Sequence, residues 1–306
     1  MIIAVASGKG GTGKTTVATN LAHCLGERAQ IIDCDVEEPN AHLFLYPTVE
    51  RVMPVTLAVP QVDLSKCSLC GKCAQACYYK ALVVVGQQIL TFRELCHGCG
   101  GCLLACPEGA IREEPRLLGV LEEGRAGGLL YAGGRLRVGE AMSAPLIKAA
   151  RKLARADRVV ILDAPPGTSC PVIATLRGAD FCVLVTEPTP FGIHDLTLAL
   201  EIVRSLGIPH GLVINRADLG DGELERISDE KAIPILMRIP EDRTIAEAYA
   251  RGQLMTETHP HYRKAFLDLF RSIQEMLSEK KVSRMSRGTG EAKGTFSIGT
   301  ASGRRR

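Results

Sequence analysis

The feature that most constrains this chain lies at its start, where an apolar run leads through a glycine-rich loop into a helical segment. Residues 1–7 read as a buried strand, residues 14–25 as a helix, and the loop between them matches G-x-x-x-x-G-K-[ST]. Glycines in such a loop let backbone N–H groups converge on phosphate oxygens, and the start of the helix adds the positive end of its dipole. The loop residues are Gly8, Lys9, Gly10, Gly11, Thr12, Gly13, Lys14, Thr15 and Thr16.

This loop predicts that the chain binds ATP together with Mg²⁺. The Lys14 ammonium is expected to reach the β- and γ-phosphates, and the Thr15 hydroxyl is expected to ligate the metal ion. A chance match in a glycine-rich turn is the alternative. The strand before the loop and the helix after it are where a phosphate-binding loop requires them, so we favour the nucleotide site.

The remainder of the chain alternates strand-like and helix-like segments, which predicts a parallel sheet with helices on both faces. The chain has no Trp, and aromatic residues make up only 4% of it, so its core must be aliphatic, as in buried parallel strands. The expected fold is an α/β P-loop NTPase with a mostly parallel, doubly wound sheet. Strands are expected at 29–32, 158–162, 181–186, 211–214 and 233–239, a hairpin within 119–139, and helices near 39–45 and at 144–156, 194–206, 223–231, 244–252 and 262–279.

A cysteine-rich stretch between Pro60 and Pro115 interrupts this alternation. It contains two runs with the spacing C-x2-C-x2-C-x3-C, which is typical of bacterial ferredoxins with two [4Fe–4S] clusters. In those proteins the fourth cysteine of each run binds the cluster of the other run. One cluster is therefore assigned to Cys67, Cys70, Cys73 and Cys106, and the second to Cys77, Cys96, Cys99 and Cys102.

Two zinc sites with four thiolates each are the competing interpretation of the same cysteines. Structural zinc usually takes C-x2-C pairs that lie far apart in the sequence, whereas here four thiols crowd into each run. Tyr78 departs from the ferredoxin pattern, because the first run would normally have proline at that position. All eight ligands are present, so the sequence favours iron–sulfur clusters.

These patterns divide the chain into an ATPase core at 1–60 and 116–280, an inserted ferredoxin domain at 61–115, and a tail at 281–306. The tail has seven basic residues and one acid, and its polar composition predicts disorder. A salt-sensitive contact of the tail with nucleic acid or a membrane is a weak expectation. No apolar run is long enough to span a bilayer, and twelve cysteines without an export signal predict a cytoplasmic protein that binds metal.

The second lysine of the loop, Lys9, makes KGGTGKTT resemble the deviant Walker A motif of the MinD/ParA/Mrp superfamily, to which the nitrogenase iron protein also belongs. In that family the early lysine reaches across a dimer interface to the partner's nucleotide. The resemblance therefore implies an ATP-dependent homodimer to which Lys9 contributes. The alternative is that Lys9 is an ordinary solvated cation of the loop.

The same resemblance implies roles for residues outside the loop. Asp35 corresponds to the residue that orients the attacking water, so the implied catalytic residues are Lys9, Lys14 and Asp35. The Gly167 amide corresponds to a sensor of the γ-phosphate. The implied Mg²⁺ ligands are Thr15, Asp33 and Asp163. The residues that match the adenine-contacting segments of the family are Asn215, Arg216, Pro240, Glu241 and Asp242.

Four cysteines lie outside the two runs. Cys170 follows the Asp163 segment, and in the nitrogenase iron protein a cysteine at a similar distance binds a cluster that bridges the dimer. No second cysteine is evident here to complete such a site, so an ordinary structural role is favoured for Cys170. Cys24, Cys34 and Cys182 are expected in the core.

The leading hypothesis for function joins the two modules. It is an ATPase whose nucleotide-driven movement gates electron transfer, or iron–sulfur or metal cofactor assembly, on an unidentified partner protein. One alternative is a ParA- or MinD-like positioning ATPase in cell division or segregation, with a redox-sensing ferredoxin module. Another is a ferredoxin that uses ATP only as a structural ligand, which the presence of Lys9, Lys14 and Asp35 argues against.

Overall fold

The computed structural model describes residues 1–288 of the chain, and the side chains of residues 1–280. Strands make up a single large sheet and one small hairpin within this part. The strands are β1 (Ile2–Ala6), β2 (Ala29–Asp33), β3 (Thr48–Val62), β4 (Leu82–Val85), β5 (Gln88–Thr91), β6 (Ile111–Ala126), β7 (Leu129–Leu136), β8 (Val159–Asp163), β9 (Phe181–Thr186), β10 (His210–Asn215) and β11 (Ile235–Ile239).

Most helices overlap the predicted helical segments, but the helix predicted at 144–156 ends at Arg151 and the helix predicted at 262–279 continues to Gly288. Four of the described helices were not predicted, two of them in the cysteine-rich stretch. The helices are α1 (Lys14–Leu25), α2 (His42–Leu45), α3 (Lys72–Ala76), α4 (Gly101–Ala105), α5 (Ala144–Arg151), α6 (Cys170–Leu176), α7 (Pro190–Ser205), α8 (Glu223–Glu230), α9 (Arg243–Ala250), α10 (Met255–Thr258) and α11 (His261–Gly288).

The large sheet has the strand order β11-β10-β9-β1-β8-β2-β7-β6-β3. All neighbours from β11 to β7 are parallel, and only the β7–β6 and β6–β3 pairs are antiparallel. Separate groups of buried residues cover the two faces, one with α1 and α11 and the other with α5, α6 and α7. The predicted α/β fold with a mostly parallel, doubly wound sheet is therefore confirmed.

The antiparallel end of the sheet is a long two-stranded ribbon, which the sequence predicted only as a hairpin around 119–139. β3 and β6 pair along almost their whole length, from Thr48 opposite Arg125 to Val62 opposite Ile111. β7 pairs only with the part of β6 from Gly119 to Ala126. The sequence did not reveal β3 as a strand, because Pro54 and Pro60 lie within it.

The ribbon carries the cysteine-rich stretch beyond the edge of the sheet where the parallel strands end. β7 runs parallel to β2 and ends at Leu136, opposite Gly119, so residues 111–118 of β6 project past that point. At about 3.3 Å per residue this projection is roughly 25 Å long. The segment between Val62 and Ile111 folds at its tip, where α3 contacts α4 and β4 pairs with β5.

The predicted domain boundaries at 60/61 and 115/116 fall inside β3 and β6 rather than in loops. The division of the chain into a core and an insert stays a prediction. In this article the "arm" is the projecting ribbon, residues 55–62 and 111–118, together with the cysteine-rich segment at its tip.

A buried ion pair holds the base of the arm to the core. The Arg116 guanidinium donates to the Glu140 carboxylate, and their side chains are 6% and 1% exposed. Glu140 lies in the connection between β7 and α5, and its other oxygen accepts the Met142 N–H at 3.2 Å. The Nε and Nη2 atoms of Arg116 are buried and have no protein partner within the described residues. The pair therefore fixes the ribbon to a connection at the nucleotide edge of the sheet.

The last helix, α11, packs Phe266, Leu269 and Ile273 into the core. It continues to Gly288, so the disorder predicted from residue 281 onward does not hold for residues 281–288. The rest of the predicted basic tail, residues 289–306, lies outside the described residues. Among the described helices, none combines the length and the apolar character that crossing a membrane requires.

Candidate functional site

The glycine-rich loop connects β1 to α1 and depends on glycine at defined positions. Gly11 and Gly13 have φ angles of 78° and 93°, in the left-handed region that favours glycine. A Cβ atom on Gly8 would lie 2.1 Å from the Asp195 carbonyl oxygen, and one on Gly13 would lie 2.7 Å from Asn215 Nδ2. Asn215 in turn donates to the Thr12 carbonyl at 3.0 Å. These contacts fix the loop with its amides free to face a ligand at the start of α1.

Thr15 and Asp163 meet at the bottom of the loop. The Thr15 hydroxyl donates to Asp163 Oδ2 at 2.7 Å, and both residues are buried. Asp163 Oδ1 is also buried, but it has no protein hydrogen-bond partner in the part of the chain that the structure describes. A buried carboxylate oxygen without a partner is a group that a water on Mg²⁺ would satisfy, so these two residues fit a metal ion beside the phosphates.

The pKa of Asp163 is raised to about 6, chiefly by its burial, while the nearby Lys14 ammonium and the Thr15 hydroxyl act in the opposite direction. A carboxyl group with such a pKa loses its proton near neutral pH and then offers a full negative charge to a cation. Lys14 is itself only 7% exposed, at the start of α1. The site thus contains a buried cation, Lys14, and a carboxylate, Asp163, which its burial keeps partly protonated when no metal ion is bound.

Asp33 ends β2 beside Asp163, but its oxygens are occupied by backbone groups. Oδ1 accepts the Asp35 N–H at 3.0 Å, and Oδ2 accepts the N–H groups of Asn40 and Ala41 at 3.1 and 3.0 Å. Burial and the adjacent Asp163 raise the pKa of Asp33 well above its usual value. In this conformation Asp33 shapes the loop after β2, and its predicted role as a Mg²⁺ ligand is not tested.

Asp35 lies in the same loop and is 8% exposed. Burial raises its pKa to about 6, and the Lys14 ammonium is the main opposing influence. The next residue, Val36, accepts a hydrogen bond from the Leu136 N–H at 2.8 Å. The loop that carries Asp35 is therefore bonded directly to the end of β7, where the arm begins.

A cleft extends from the phosphate loop and encloses about 940 Å³, including space open to solvent. The sequence-predicted residues that line it are Gly11, Gly13, Lys14, Thr15, Thr16, Asn215, Arg216, Pro240, Glu241 and Asp242. Ile239, which begins the predicted adenine-contacting segment, also lines the cleft. The lining residues that the sequence did not reveal are Asn40, Ile245, Ala246, Tyr249 and Met255.

Most of the missed lining residues are apolar or aromatic, and no motif marks them. Tyr249 on α9 is held by its ring against Phe44, with centroids 4.7 Å apart. Met255 follows α9 and reaches the cleft only because that part of the chain folds back over α1. Asp242, by contrast, was among the predicted residues. Its carboxylate accepts the Thr244 N–H at 2.7 Å and caps α9.

Lys9 is engaged within its own chain. Its ammonium forms an ion pair with Glu187, whose side chain is 7% exposed. Glu187 also contacts Arg216 at 3.2 Å, and Arg216 reaches Glu241 at 3.1 Å. Lys9 is thus joined to two of the predicted adenine-contacting residues through Glu187. A role for Lys9 across a dimer interface would require it to leave Glu187.

Two further predicted residues lie beside the site. The Gly167 amide donates to the Ser7 carbonyl at 3.2 Å, and Gly167 has a φ of 92°. Cys170, at the start of α6, is exposed. Its favoured role as an ordinary residue and the bridging alternative both stay untested. Cys24, Cys34 and Cys182 are buried, as expected.

The eight cysteines of the arm line two separate cavities in the predicted groups. Cys67, Cys70, Cys73 and Cys106 line one, and Cys77, Cys96, Cys99 and Cys102 line the other. In each cavity three thiols come from one run and the fourth comes from the other run.

The surroundings of the thiols suit iron–sulfur clusters. Backbone N–H groups donate to sulfur, Ala81 to Cys77 at 3.2 Å, Gly98 to Cys96 at 3.4 Å and Ala110 to Cys106 at 3.3 Å. Such bonds stabilise the negative charge that cluster sulfurs carry. Among the described residues, no three His, Cys, Asp or Glu side chains converge on the position of a single ion.

Comparison with known proteins places this geometry in a family. Residues 3–255 match the model of the CobQ/CobB/MinD/ParA nucleotide binding domain. An uncharacterized protein of Methanocaldococcus jannaschii, MJ0579, is 33% identical over 258 residues, which cover 83% of this chain and 90% of that protein. An iron-sulfur cluster carrier protein of Aquifex aeolicus is 25% identical over 299 residues, covering 91% of this chain and 68% of that protein.

The solved structures include one with the same fold. The septum site-determining protein MinD of Pyrococcus horikoshii, in complex with Mg-ADP, is similar with a TM-score of 0.56 and 19% identity, covering 90% of this chain and 96% of that one. The family model spans the phosphate loop, Asp163 and the cleft-lining residues up to Met255. The chain therefore belongs to the CobQ/CobB/MinD/ParA nucleotide-binding family and is an ATPase of the MinD/ParA kind.

Proposed function

We propose that this chain is an ATP-hydrolysing iron–sulfur protein in which nucleotide-driven movement controls electron transfer to a partner protein. One observation carries the proposal. The loop that contains Asp35 is hydrogen-bonded to the end of β7, which pairs with the base of the arm that holds the eight cysteines. A change at the γ-phosphate thus has a short physical connection to the cysteine cavities.

The nucleotide side of the mechanism uses residues of the cleft. Lys14 binds the β- and γ-phosphates and Asp35 orients the attacking water, while Thr15 and Asp163 would hold Mg²⁺, which would offset the phosphate charge. The raised pKa of Asp35, about 6, leaves it ionised at neutral pH and able to accept a hydrogen bond from water. Asn215 keeps the loop in place through its bond to the Thr12 carbonyl.

The cysteine side of the mechanism uses residues of the arm. Each group of four thiolates would hold one [4Fe–4S] cluster, which supplies a one-electron redox centre when bound. The backbone N–H groups of Ala81, Gly98 and Ala110 stabilise charge on the sulfurs. Val59 and Leu82 exclude water near the thiols, because both are almost fully buried beside them. Changes in that burial would shift the reduction potential.

The coupling runs through contacts at the base of the arm. Val36, next to Asp35, accepts the Leu136 N–H at 2.8 Å, and the following amide, Arg137, donates to the Leu118 carbonyl at 2.8 Å. Leu118 is fully buried on β6, two residues from the Arg116–Glu140 pair. A loop movement that breaks the Val36 bond would therefore act on the ribbon at its fixed point.

A second candidate function is the assembly of iron–sulfur or metal cofactors on a partner. It is supported by the iron-sulfur cluster carrier proteins among the relatives, which are 23 to 25% identical to this chain. A carrier must release its cluster, whereas four ligands per cavity favour retention. This holds above all in the second cavity, where Cys77, Cys96 and Cys102 are buried, against Cys73 alone in the first. The positioning alternative draws support only from the MinD-like fold, and a positioning role does not require the cysteines.

The deciding experiment is anaerobic purification followed by iron and sulfide analysis and EPR of the reduced protein, with and without Mg·ATP. We expect about eight iron atoms per chain, and a change of the EPR signal or the midpoint potential when ATP binds. The Asp35→Ala variant should retain the ATP-induced change while turning over slowly. Transfer of iron to an apo-ferredoxin would favour the carrier function instead. About two zinc ions per chain and no iron would contradict both functions.

A further inference from the structure

We propose that the arm of one chain docks on an acidic loop of a second copy when two copies face each other across bound nucleotide. The docking face of the arm, here the "basic face", consists of Lys72, Tyr78, Tyr79 and Lys80. The "acidic loop" is residues 217–225, which follow β10. The inference rests on the proposed function for the ATP-bound state, and it also takes up the ATP-dependent dimer that the family resemblance at Lys9 implies.

The basic face has a charge of one sign and an exposed aromatic surface. Residues 64–92 contain three lysines and no Asp or Glu. Lys72 and Lys80 are exposed, and neither has an ion-pair partner among the described residues. Tyr78 is 87% exposed, and its ring lies edge-on to Tyr79 at 5.3 Å. Exposed tyrosines are enriched at protein interfaces, and the two lysines add a positive charge that a complementary acidic surface could attract.

The acidic loop has the complementary character. Residues 217–225 contain four acids and no Lys, Arg or His. Glu223 and Glu225 have ion pairs with neighbouring arginines, but Asp221 has none among the described residues and is exposed. Between these acids Leu219 is 60% exposed. The loop thus offers an apolar side chain surrounded by negative charge.

The two surfaces cannot meet within one chain. β10 and β6 are separated by β9, β1, β8, β2 and β7. At about 4.8 Å per strand this separation is roughly 30 Å across the sheet. Both surfaces nevertheless belong to the same edge, because the acidic loop follows the carboxyl end of β10 and the arm projects past the carboxyl end of β7.

A dimer with two-fold symmetry would bring the basic face of one copy near the acidic loop of the other. The phosphate loop follows β1, near the middle of the sheet, so an axis through that point and normal to the sheet sets the nucleotide edges against each other. Such an axis reverses the strand order in the second copy and sets each arm on the side of the other copy that carries β10 and β11. An arm that projects roughly 25 Å then passes beside the other copy. Because a two-fold interface is isologous, the contact would be made twice.

The experiment compares dimerisation of anaerobically prepared, iron-loaded protein in the Asp35→Ala background, by sedimentation velocity with Mg·ATP. We expect Lys72→Glu/Lys80→Glu to weaken the dimer at least about tenfold at low salt, and Asp221→Lys/Glu223→Lys to do the same. The matched control is Lys148→Glu/Lys264→Glu, since both lysines are exposed on the core. It should change the dissociation constant less than about threefold.

Mixing the two charge-reversed proteins provides the decisive comparison. In a mixed dimer the substituted acids of one variant's arm would face the substituted lysines of the other variant's loop, whereas each variant alone sets its substituted residues against unchanged residues of the same sign. The mixture should therefore dimerise about as tightly as the parent, which a folding defect could not produce. Reversed variants that dimerise like the parent, or a mixture that stays monomeric, would overturn the docking. A parent that stays monomeric with ATP would instead contradict the dimer itself, and the EPR response to ATP would still test the proposed function.

Discussion

The nucleotide site and the tip of the arm are built on opposite principles. At the nucleotide site the charged and polar groups form hydrogen bonds with protein groups. The Thr15 hydroxyl donates to Asp163, and the Asp33 carboxylate accepts three backbone N–H groups. At the tip of the arm the buried groups are few, and the cysteine thiols are a large share of them. The first region keeps its shape without a ligand, whereas the second depends on what its cysteines bind.

This difference follows from the size of the two cores. The sheet and its helices bury long rows of aliphatic side chains on both faces, which is enough to stabilise a domain. The cysteine-rich segment buries only small groups around each cavity, and segments of that size usually need a metal or a disulfide. Loss of cluster should therefore unfold the tip of the arm and leave the ATPase core folded.

The largest expected effect tests that separation directly. Cys73→Ser/Cys102→Ser removes one buried ligand from each cavity, so both clusters should be lost and the segment between β3 and β6 should become sensitive to protease. Iron should fall from about eight atoms per chain to nearly none, while Mg·ATP binding changes little. Cys170→Ser is the control, because Cys170 is exposed and lies outside both cavities. A variant that also loses ATP binding would mean that the two regions fold as one unit.

The next effect distinguishes the two lysines of the phosphate loop. Lys14→Ala removes a buried cation from the phosphates, and ATP binding should weaken by at least about a hundredfold. Lys9→Ala removes the partner of Glu187 and should leave ATP binding to the monomer within a few fold. Only the dimer of the Asp35→Ala/Lys9→Ala protein should be lost in sedimentation with ATP. Dimerisation that persists without Lys9 would make it an ordinary loop residue.

The ion pair at the base of the arm allows a comparison of buried and exposed contacts. Arg116→Met leaves the Glu140 carboxylate buried without its partner, which should cost about 3–5 kcal/mol in the free energy of unfolding. Arg51→Met breaks a pair on the same ribbon whose arginine is 60% exposed, and it should cost less than about 1 kcal/mol. Denaturant unfolding of the iron-loaded proteins measures both. Equal losses would show that the ribbon is not fixed at Arg116.

The smallest effect is a pH dependence confined to the nucleotide site. The pKa values of Asp163 and Asp35 are about 6 in the folded protein, above the value of 3.8 that applies to the unfolded chain. The affinity for Mg·ATP should rise with pH up to about 6, by as much as about tenfold per pH unit for each carboxyl group. Above that pH the affinity should level off. Asp163→Asn should flatten part of this profile, as calorimetry between pH 5 and 8 can measure. Iron content should not change over the same range.

The same pKa shifts fix the direction of the stability profile. Between about pH 4 and 6 the folded, nucleotide-free protein holds protons that the unfolded chain releases. Its free energy of unfolding should therefore fall as pH rises through that window and change little above it. Bound Mg²⁺ should remove this fall, because the metal ion favours the ionised carboxylates. Stability that rises over the window would contradict the raised pKa values.

The sequence predicted the fold well where local pattern and topology agree. The alternation of strands and helices and the motif around Lys14 were sufficient for the parallel sheet and the phosphate loop. The thiols that line each cavity are grouped as the ferredoxin pattern predicted, three from one run and the fourth from the other, and their binding of clusters stays a prediction.

What the sequence could not predict depends on contacts between distant segments. The strand β3 was missed because Pro54 and Pro60 interrupt its pattern and its residues are mostly half-buried or exposed. Tyr249 and Met255 reach the cleft only through the packing of α9 and α10. The Lys9–Glu187 pair joins residues far apart in the chain, and no motif connects them.

The prolines of the outermost strand have a consequence for the protein in an oxidising environment. β3 is the free margin of the large sheet, and a free margin is where strands of other molecules can add and start an aggregate. Pro54 and Pro60 interrupt its row of N–H donors, and Glu50 and Arg51 add charges to it. A chain damaged by oxygen would expose the apolar interior of its cysteine cavities beside this margin. The margin is poorly suited to extending a sheet, so such chains should stay in solution long enough to be reloaded with iron.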